Sequence, residues 1–221
     1  MPYKEEYKLL FIHIPKTGGT SIEVFFEMNK PENFRYQRWD RDQISFIEQH
    51  RHLSKSIKLH YEPQHYSVDI LKELIPDYNN YFKFAFVRNP YSRILSEYLW
   101  ITKKQLNDFS DFNPNDFHIW CENFLSIIDS SHKESQTSFI DESVDFIGRY
   151  ENFANDFNLL ISKLLKTSIN FKKIENQILP VLNATSLDKN ILMKYILPET
   201  KKNIYSTYKS DFIAFSYDNM L

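Results

Sequence analysis

Lys16 is followed directly by Thr17-Gly18-Gly19-Thr20-Ser21, a run that combines three hydroxyl groups with two adjacent glycines. The whole chain of 221 residues contains three glycines, although about fifteen would be expected at average usage. Glycine reaches positive φ without steric cost and lets main-chain N–H groups approach a ligand closely. A lysine, hydroxyl donors and two glycines at one point therefore predict a binding site for a phosphate or a related anion.

A helix is predicted directly after the glycines, because Ile22, Phe25 and Phe26 have helical spacing. The run from Thr20 to Glu23 fits a capping box, with Thr20 as the N-cap and Glu23 three residues later. The N-terminus of such a helix offers N–H groups and a partial positive charge to an anion. An ordinary turn with an ordinary helix cap is the alternative interpretation.

The lysine and the glycines do not form a Walker A loop. In that motif, GxxxxGK[ST], the lysine follows the last glycine, whereas Lys16 precedes both glycines. No pattern typical of a magnesium site is evident. The order of strand, Pro15, lysine, glycines, hydroxyls and helix favours an anion site of a different kind.

Arg88 marks a second predicted anion site. It follows an apolar run that ends at Val87, and parallel α/β sheets bind their ligands at the carboxyl ends of their strands. Asn89-Pro90 is expected to turn the chain and begin a helix, which carries Ser96 two turns beyond Arg88, with Arg93 nearby. Arginine offers a bidentate fork to a phosphate, so Arg88 and Ser96 suit a second phosphate. An arginine that caps the strand in an ion pair is the alternative.

The elements that position these residues follow one repeated pattern. A short apolar run is followed by a break and then by helical spacing at Lys8–Ile14, Phe82–Val87 and Val144–Ile147. Strand and helix in alternation predict an α/β fold with a central parallel sheet flanked by helices. Further helices are predicted at 67–74, 114–128 and 198–208, and residues 35–66 are expected to be irregular with short helices.

Composition and charge argue against several classes of protein. The absence of repeats and linkers predicts a single domain over residues 1–221, and the net charge of -2 argues against binding to nucleic acid. No apolar stretch reaches the roughly 18 residues that span a bilayer, so no stable membrane insertion is expected. The single cysteine, Cys121, excludes an intramolecular disulfide and suggests the cytoplasm. A buried small side chain is a better interpretation of Cys121 than a reactive thiol.

Together, these motifs resemble the sulfotransferases that use 3′-phosphoadenosine 5′-phosphosulfate (PAPS), in the branch of carbohydrate (heparan/chondroitin-type) enzymes. FIHIPKTGGTSIE resembles the 5′-phosphosulfate loop, and FAFVRNPYSRILSEY resembles the 3′-phosphate-binding segment. FIGRYENFANDF and the C-terminal IYSTYKSDFIAFSYD resemble two further stretches of that branch. The resemblance implies a P-loop-like three-layer fold and extends over nearly the whole chain, least clearly at residues 35–66 and 107–131.

The resemblance also implies a role for each matching residue. Lys16 would contact the oxygen that bridges the phosphate and the sulfuryl group. Thr17, Gly18, Gly19, Thr20 and Ser21 would hold the 5′-phosphate, and Arg88 and Ser96 would hold the 3′-phosphate. PAPS carries its negative charge at two separated points, which agrees with the two anion sites predicted from the residues.

A sulfuryl acceptor with a hydroxyl group needs a base, and histidine suits that task near neutral pH. His65 lies shortly before the strand that ends at Arg88, where enzymes of the resembled branch carry a histidine that is the base in some of them. His60, Glu62 and Asp69 are the alternatives, and His13 is expected to be a satisfied strand histidine. The seven histidines show no metal-ligand spacing, so no metal is predicted.

The sequence therefore predicts an enzyme that transfers a sulfuryl group from PAPS to a hydroxyl on a carbohydrate. His132 and Gln136 match positions that often lie near the acceptor in the resembled branch. A glycan, a lipid-linked sugar and a small natural product all remain open as acceptors, and the oligomeric state is not indicated. A P-loop kinase or another nucleotide phosphotransferase, and a non-catalytic nucleotide-binding module, are the alternative functions.

Overall fold

The computed structural model describes residues 3–28, 63–75, 77–102, 108–127, 130–167 and 192–219. The strands in these ranges are β1 (Tyr3–Lys4), β2 (Leu9–Ile12), β3 (Phe82–Val87) and β4 (Phe146–Arg149). The α-helices in the same ranges are α1 (Gly19–Phe25), α2 (Val68–Leu74), α3 (Pro90–Ile101), α4 (Pro114–Ile127), α5 (Phe153–Thr167), α6 (Pro198–Thr207) and α7 (Lys209–Ala214). Short 3₁₀ turns include Pro63–His65, Gln136–Ser138 and Tyr150–Asn152.

The four strands form one sheet in the order β1-β2-β3-β4. Strands β2 and β3 pair in parallel, with Leu9 opposite Phe82 and Ile12 opposite Ala85. The two-residue strand β1 pairs antiparallel with β2. All four residues of β2 and the last five of β3 are buried, as expected for strands covered on both faces.

The predicted α/β fold is confirmed, with small differences in the bounds of its elements and with β1 antiparallel in a sheet that was expected to be parallel. The second predicted strand has the predicted bounds, whereas the first is shorter and the third begins at Phe146 instead of Val144. Asp145 explains the later start: its main-chain N–H donates to the carbonyl of Lys83, but its carboxylate accepts from the N–H of Lys83 at 2.7 Å. The carboxylate of Asp145 thus takes the place of a main-chain carbonyl as the acceptor for the N–H of Lys83, and the strand begins at Phe146. The sequence did not indicate β1, which is only two residues long.

The chain divides into two compact units, which are described separately. The first unit comprises Met1–Phe86 and Phe139–Leu182. Its core contains Phe11 from β2, Phe84 and Phe86 from β3, Phe26 directly after α1, and the inner faces of α1 and α5, including Phe157. The spacing of Phe157, Leu160 and Leu164 places one apolar stripe of α5 in this core. Burial of these aromatic rings holds β2 and the segment that follows it.

The second unit comprises Val87–Ser138 and Asn183–Leu221. Helix α3 lies at its centre, and every residue from Pro90 to Leu99 is buried. Cys121 belongs to the same core and is 1% exposed. Burial raises the pKa of the Cys121 thiol, so the structure agrees with its interpretation as a buried small side chain.

Across the described ranges, no helix combines the length and the apolar character required to cross a bilayer.

Candidate active site

The segment after strand β2 forms a tight loop at Lys16. The N–H of Ile14 donates to the carbonyl of Ile12, and the hydroxyl of Thr17 donates to the carbonyl of Ile14 at 2.8 Å. Lys16 and Gly18 both have a left-handed main chain, with φ values of 68° and 88°. A non-glycine residue in this region is strained, and such strain concentrates at functional sites. Lys8, Glu27, Asp77 and Ser216 also have positive φ, so at Lys16 this conformation describes the tightness of the loop.

Each of the two adjacent glycines is required by a different feature of the structure. Gly18 has positive φ and is the N-cap residue of α1. Gly19 has no room for a side chain, because a Cβ atom there would lie 2.2 Å from Nε2 of His13. The rings of Tyr150 and Phe153 also approach Gly18, since a Cβ atom there would lie 3.2 Å from each ring. The third motif, FIGRYENFANDF, thus covers the loop of the first motif, a contact that sequence reasoning missed.

The predicted capping box is wrong. Helix α1 begins at Gly19 with Gly18 as its N-cap, and no side chain accepts a hydrogen bond there. The left-handed turn at Gly18 starts the helix before Thr20, so the hydroxyl of Thr20 does not occupy the cap position. Ser21 is buried in the first turn, and its N–H donates to the carbonyl of Gly18 at 3.2 Å. Glu23 instead contacts His13, with Oε1 lying 2.7 Å from Nδ1.

His65 is held against the same loop. Its Nδ1 lies 2.7 Å from the carbonyl oxygen of His13, and its Nε2 lies 3.0 Å from Nε2 of Gln64. A carbonyl oxygen only accepts hydrogen bonds, so we infer that Nδ1 carries the proton. Nε2 of His65 then accepts from the side-chain amide of Gln64, because an amide nitrogen only donates. His65 is 3% exposed.

The other candidate bases differ in their surroundings. His13 is buried and bonded to Glu23, as expected for a satisfied histidine at the end of a strand. Asp69 is exposed on α2. His60 and Glu62 lie outside the described residues. The assignment of the base to His65 stays a prediction.

In the second unit, Arg88 is buried immediately after the last residue of β3. Its Nε donates to the hydroxyl oxygen of Ser92 at 2.8 Å. Ser92 was not singled out by the sequence, although it lies one helical turn before Ser96 and so shares a face of α3 with it. The predicted turn at Asn89-Pro90 is confirmed: the side chain of Asn89 accepts from the N–H of Tyr91 and caps α3.

The position of Arg88 is set by Gln136. Oε1 of Gln136 accepts from the N–H of Arg88, and Nε2 donates to its carbonyl oxygen, both at 2.8 Å. Asp211 of α7 accepts from Nε2 and the N–H of Gln136 and from the N–H of Thr137. Gln136 and Asp211 are fully buried. Gln136 thus holds the main chain of the predicted phosphate-binding arginine, a role that the sequence did not indicate.

His132 and Arg93 contribute to the same unit. Nδ1 of His132 lies 2.8 Å from a carboxylate oxygen of Glu97, which is buried. The carbonyl oxygen of His132 accepts from the guanidinium of Arg93 at 3.0 Å. That guanidinium lies 5.6 Å from the ring centre of Tyr208. Arg93 therefore anchors the segment around His132 to α3.

Within the described ranges, no three or more histidine, cysteine, aspartate or glutamate side chains lie together in a way that could hold a metal ion.

Tyr66, next to His65, is buried, and this burial raises the pKa of its hydroxyl to about 12. The phenol of Tyr66 is therefore neutral near pH 7.

The loop at Lys16, the buried imidazole of His65 and the buried arginine at the end of β3 are the features that the sequence singled out. Comparisons with curated proteins and with solved structures give no significant match. The sequence model of the Sulfotransferase family matches residues 2–218, nearly the whole chain. We conclude that the chain belongs to the Sulfotransferase family.

Proposed function

We propose that this sulfotransferase uses PAPS as the sulfuryl donor and transfers the group to a hydroxyl of a carbohydrate, with His65 as the general base. One observation supports this proposal above the others. The hydrogen bond from Nδ1 of His65 to the carbonyl of His13 links the candidate base to the segment that contains Lys16, three residues later. The cation suited to the leaving group and the imidazole suited to the acceptor are thereby attached to one short segment of the chain.

The residues present fit the chemistry of PAPS. A lysine and the hydroxyl groups of Thr20 and Ser21 stand at a loop whose main chain turns twice into the left-handed region. Loops of this kind direct N–H groups at anions. The hydroxyl proton of Thr17 is used within the loop, so Thr17 would contact a phosphate through its N–H. We assign the 5′-phosphate to residues Thr17 to Ser21 and the bridging oxygen to Lys16.

The 3′-phosphate is assigned to Arg88 and Ser96. Strands β2 and β3 pair in parallel, and each predicted anion-binding segment directly follows one of these strands. This is the topology in which α/β sheets bind ligands beyond the carboxyl ends of their strands. It also supports a P-loop-like arrangement for the fold.

When PAPS is bound, it supplies a sulfuryl group with an adenosine bisphosphate leaving group. The ammonium of Lys16 stabilises the negative charge that develops on the leaving oxygen. Nε2 of His65 takes the proton of the acceptor hydroxyl as the sulfuryl group moves in line, much as in phosphoryl transfer. The hydrogen bond from Nδ1 to His13 orients the ring and stabilises the proton that the ring gains.

The alternative of a nucleotide kinase is not favoured by membership of the Sulfotransferase family. A module that binds the nucleotide without turnover shares the same anion-binding residues. Transfer of the sulfuryl group to an acceptor distinguishes the enzyme from such a module, because binding alone gives no transfer.

An acceptor screen tests the proposed function. The protein is incubated with radiolabelled PAPS and sets of glycans, lipid-linked sugars and small natural products, with and without EDTA. We expect label to enter a carbohydrate hydroxyl equally well in both conditions. Binding of adenosine 3′,5′-bisphosphate without transfer to any acceptor would favour the non-catalytic module, and loss of transfer with EDTA would contradict the metal-independent mechanism.

A further inference from the structure

Glu23 and His13 form a buried pair in the first unit. Their side chains are 4% and 8% exposed, and Oε1 of Glu23 lies 2.7 Å from Nδ1 of His13. His13 directly follows β2, whereas Glu23 belongs to α1. The contact therefore joins the two ends of the loop that carries Lys16, Thr17 and Gly18.

The hydrogen bond also determines how the ring of His13 is oriented. A carboxylate oxygen accepts, so Nδ1 of His13 donates to Glu23. The opposite edge of the ring, with Nε2 and Cδ2, lies against Gly19, where a Cβ atom would come within 2.2 Å. The imidazole thus fills the space beneath the loop, and its position depends on Glu23.

The main chain of His13 makes the second connection. Its carbonyl oxygen accepts from Nδ1 of His65 at 2.7 Å. The rings of His13 and His65 also meet edge to face, with their centres 4.5 Å apart. One residue therefore contacts the anion-binding loop through its side chain and the candidate base through its carbonyl and its ring.

We propose that His13 and Glu23 are positioning residues for sulfuryl transfer. This inference rests on the proposed function, because it takes Lys16 and His65 as the groups that act on the reacting atoms. Neither His13 nor Glu23 is required to touch a substrate. The carboxylate of Glu23 holds the imidazole of His13, and the imidazole supports the loop at Gly19. The carbonyl and ring of His13 orient the ring of His65, so that Nε2 is the unprotonated nitrogen and accepts from the amide of Gln64.

The first test uses the spectroscopic signature of the tautomers and needs neither PAPS nor an acceptor. Nitrogen NMR of protein labelled with ¹⁵N-histidine distinguishes a protonated from an unprotonated ring nitrogen. We expect the wild-type protein at neutral pH to show His13 and His65 with the proton on Nδ1. Observation of His65 with its proton on Nε2, or of a tautomer mixture, would overturn the proposal.

The variants Glu23→Gln and Glu23→Leu separate positioning from stability. Glutamine keeps an acceptor oxygen for Nδ1 of His13, so Glu23→Gln should keep the wild-type tautomer of His65. Leucine removes the acceptor for Nδ1 of His13, so Glu23→Leu should release the ring of His13 and, through the edge-to-face contact of the two rings, shift the signals of His65. If Glu23→Leu does not fold, Glu23→Asp provides the same comparison with a displaced acceptor. An unchanged His65 spectrum in a folded Glu23→Leu or Glu23→Asp protein would overturn the proposal.

Glu97→Leu is the matched control, since it removes the other described buried glutamate that bonds Nδ1 of a histidine. It should alter the signals of His132 and leave those of His65 unchanged. With an acceptor from the screen, Glu23→Leu should lower kcat by about tenfold to a hundredfold and Glu23→Gln by much less. Wild-type turnover in Glu23→Leu would overturn the inference alone, whereas an inactive wild type with the expected tautomers would overturn the proposed function alone.

Discussion

The side-chain amide of Gln136 forms two hydrogen bonds with the main chain of Arg88, both 2.8 Å long. Strand β3 ends at Val87, so Arg88 is the first residue beyond the strand. The amide of Gln136 gives the N–H and the carbonyl of Arg88 the two hydrogen bonds that a neighbouring strand would otherwise provide. Asp211 in turn holds the amide and the N–H of Gln136. The orientation of the arginine therefore depends on two fully buried side chains that are distant in sequence.

Replacement of Gln136 by leucine should weaken the binding of PAPS more than it slows turnover. The change leaves the N–H and carbonyl of Arg88 without their partner, which costs about 1–3 kcal/mol for each buried group. We expect the melting temperature to fall and KM for PAPS to rise by about tenfold or more, with a smaller change in kcat. Steady-state kinetics with PAPS and the acceptor varied separately provide the measurement.

Ser138→Ala is the control for Gln136→Leu, because Ser138 lies on the same 3₁₀ turn and its exposed hydroxyl donates only locally, to the carbonyl of Ser135. It should behave as wild type. A rise in KM for the acceptor, with KM for PAPS unchanged, would instead assign Gln136 to the acceptor site.

Adenosine 3′,5′-bisphosphate should raise the melting temperature of the wild-type protein. A ligand that binds the native state alone stabilises it by mass action, by about 2.7 kcal/mol at a concentration of one hundred times Kd. ATP with magnesium should stabilise the protein much less, because it lacks the 3′-phosphate assigned to Arg88 and Ser96. Thermal unfolding with each nucleotide is the measurement, and equal stabilisation by ATP would argue for a kinase.

Lys16→Ala and Arg88→Ala should have different kinetic effects. The lysine is assigned to charge that develops during transfer, so Lys16→Ala should lower kcat by orders of magnitude with a modest change in PAPS affinity. Alanine retains a Cβ atom, so this variant does not change the steric demand of the left-handed main chain at φ 68°. Arg88→Ala should mainly weaken the binding of adenosine 3′,5′-bisphosphate, measured by titration calorimetry. The reverse pattern would contradict the assigned roles.

His65→Ala should lower kcat by about a hundredfold to ten-thousandfold, the range typical of a general base. The affinity for adenosine 3′,5′-bisphosphate should barely change, because His65 is assigned to neither phosphate. The wild-type rate should fall as the pH is lowered, since protonation of Nε2 removes the lone pair that accepts the hydroxyl proton. The pH dependence of kcat/KM checks this sign.

Two histidine variants serve as controls for His65→Ala. His118→Ala should retain turnover, since His118 bonds Thr200 at a partly exposed position of the second unit. His60→Ala tests the alternative base and should be milder than His65→Ala. A folded His65→Ala protein with wild-type turnover would show that His60 or Glu62 should be examined instead.

Several features were predictable because they depend on residues close together in sequence. The apolar run Phe82–Val87 has the length and composition of a buried strand, and its bounds agree with the structure. Asn89 and Pro90 predicted the start of α3 through local capping chemistry. The family could also be inferred from the sequence, because the two motifs predicted to bind anions are continuous segments.

The partners of the site residues were not predictable in the same way. Glu23 stands three residues after Thr20, as in a capping box, but its carboxylate bonds to His13 because the left-handed turn at Gly18 starts the helix earlier. The bond between His65 and the carbonyl of His13 spans 52 residues, and the bond between Gln136 and Arg88 spans 48. Such contacts depend on how the elements pack and leave no periodic signal in the chain. The sequence by itself therefore indicated three of the four described strands, the two segments predicted to bind anions and the family, whereas the tertiary structure decided which side chains contact the loop at Lys16, the ring of His65 and the main chain of Arg88.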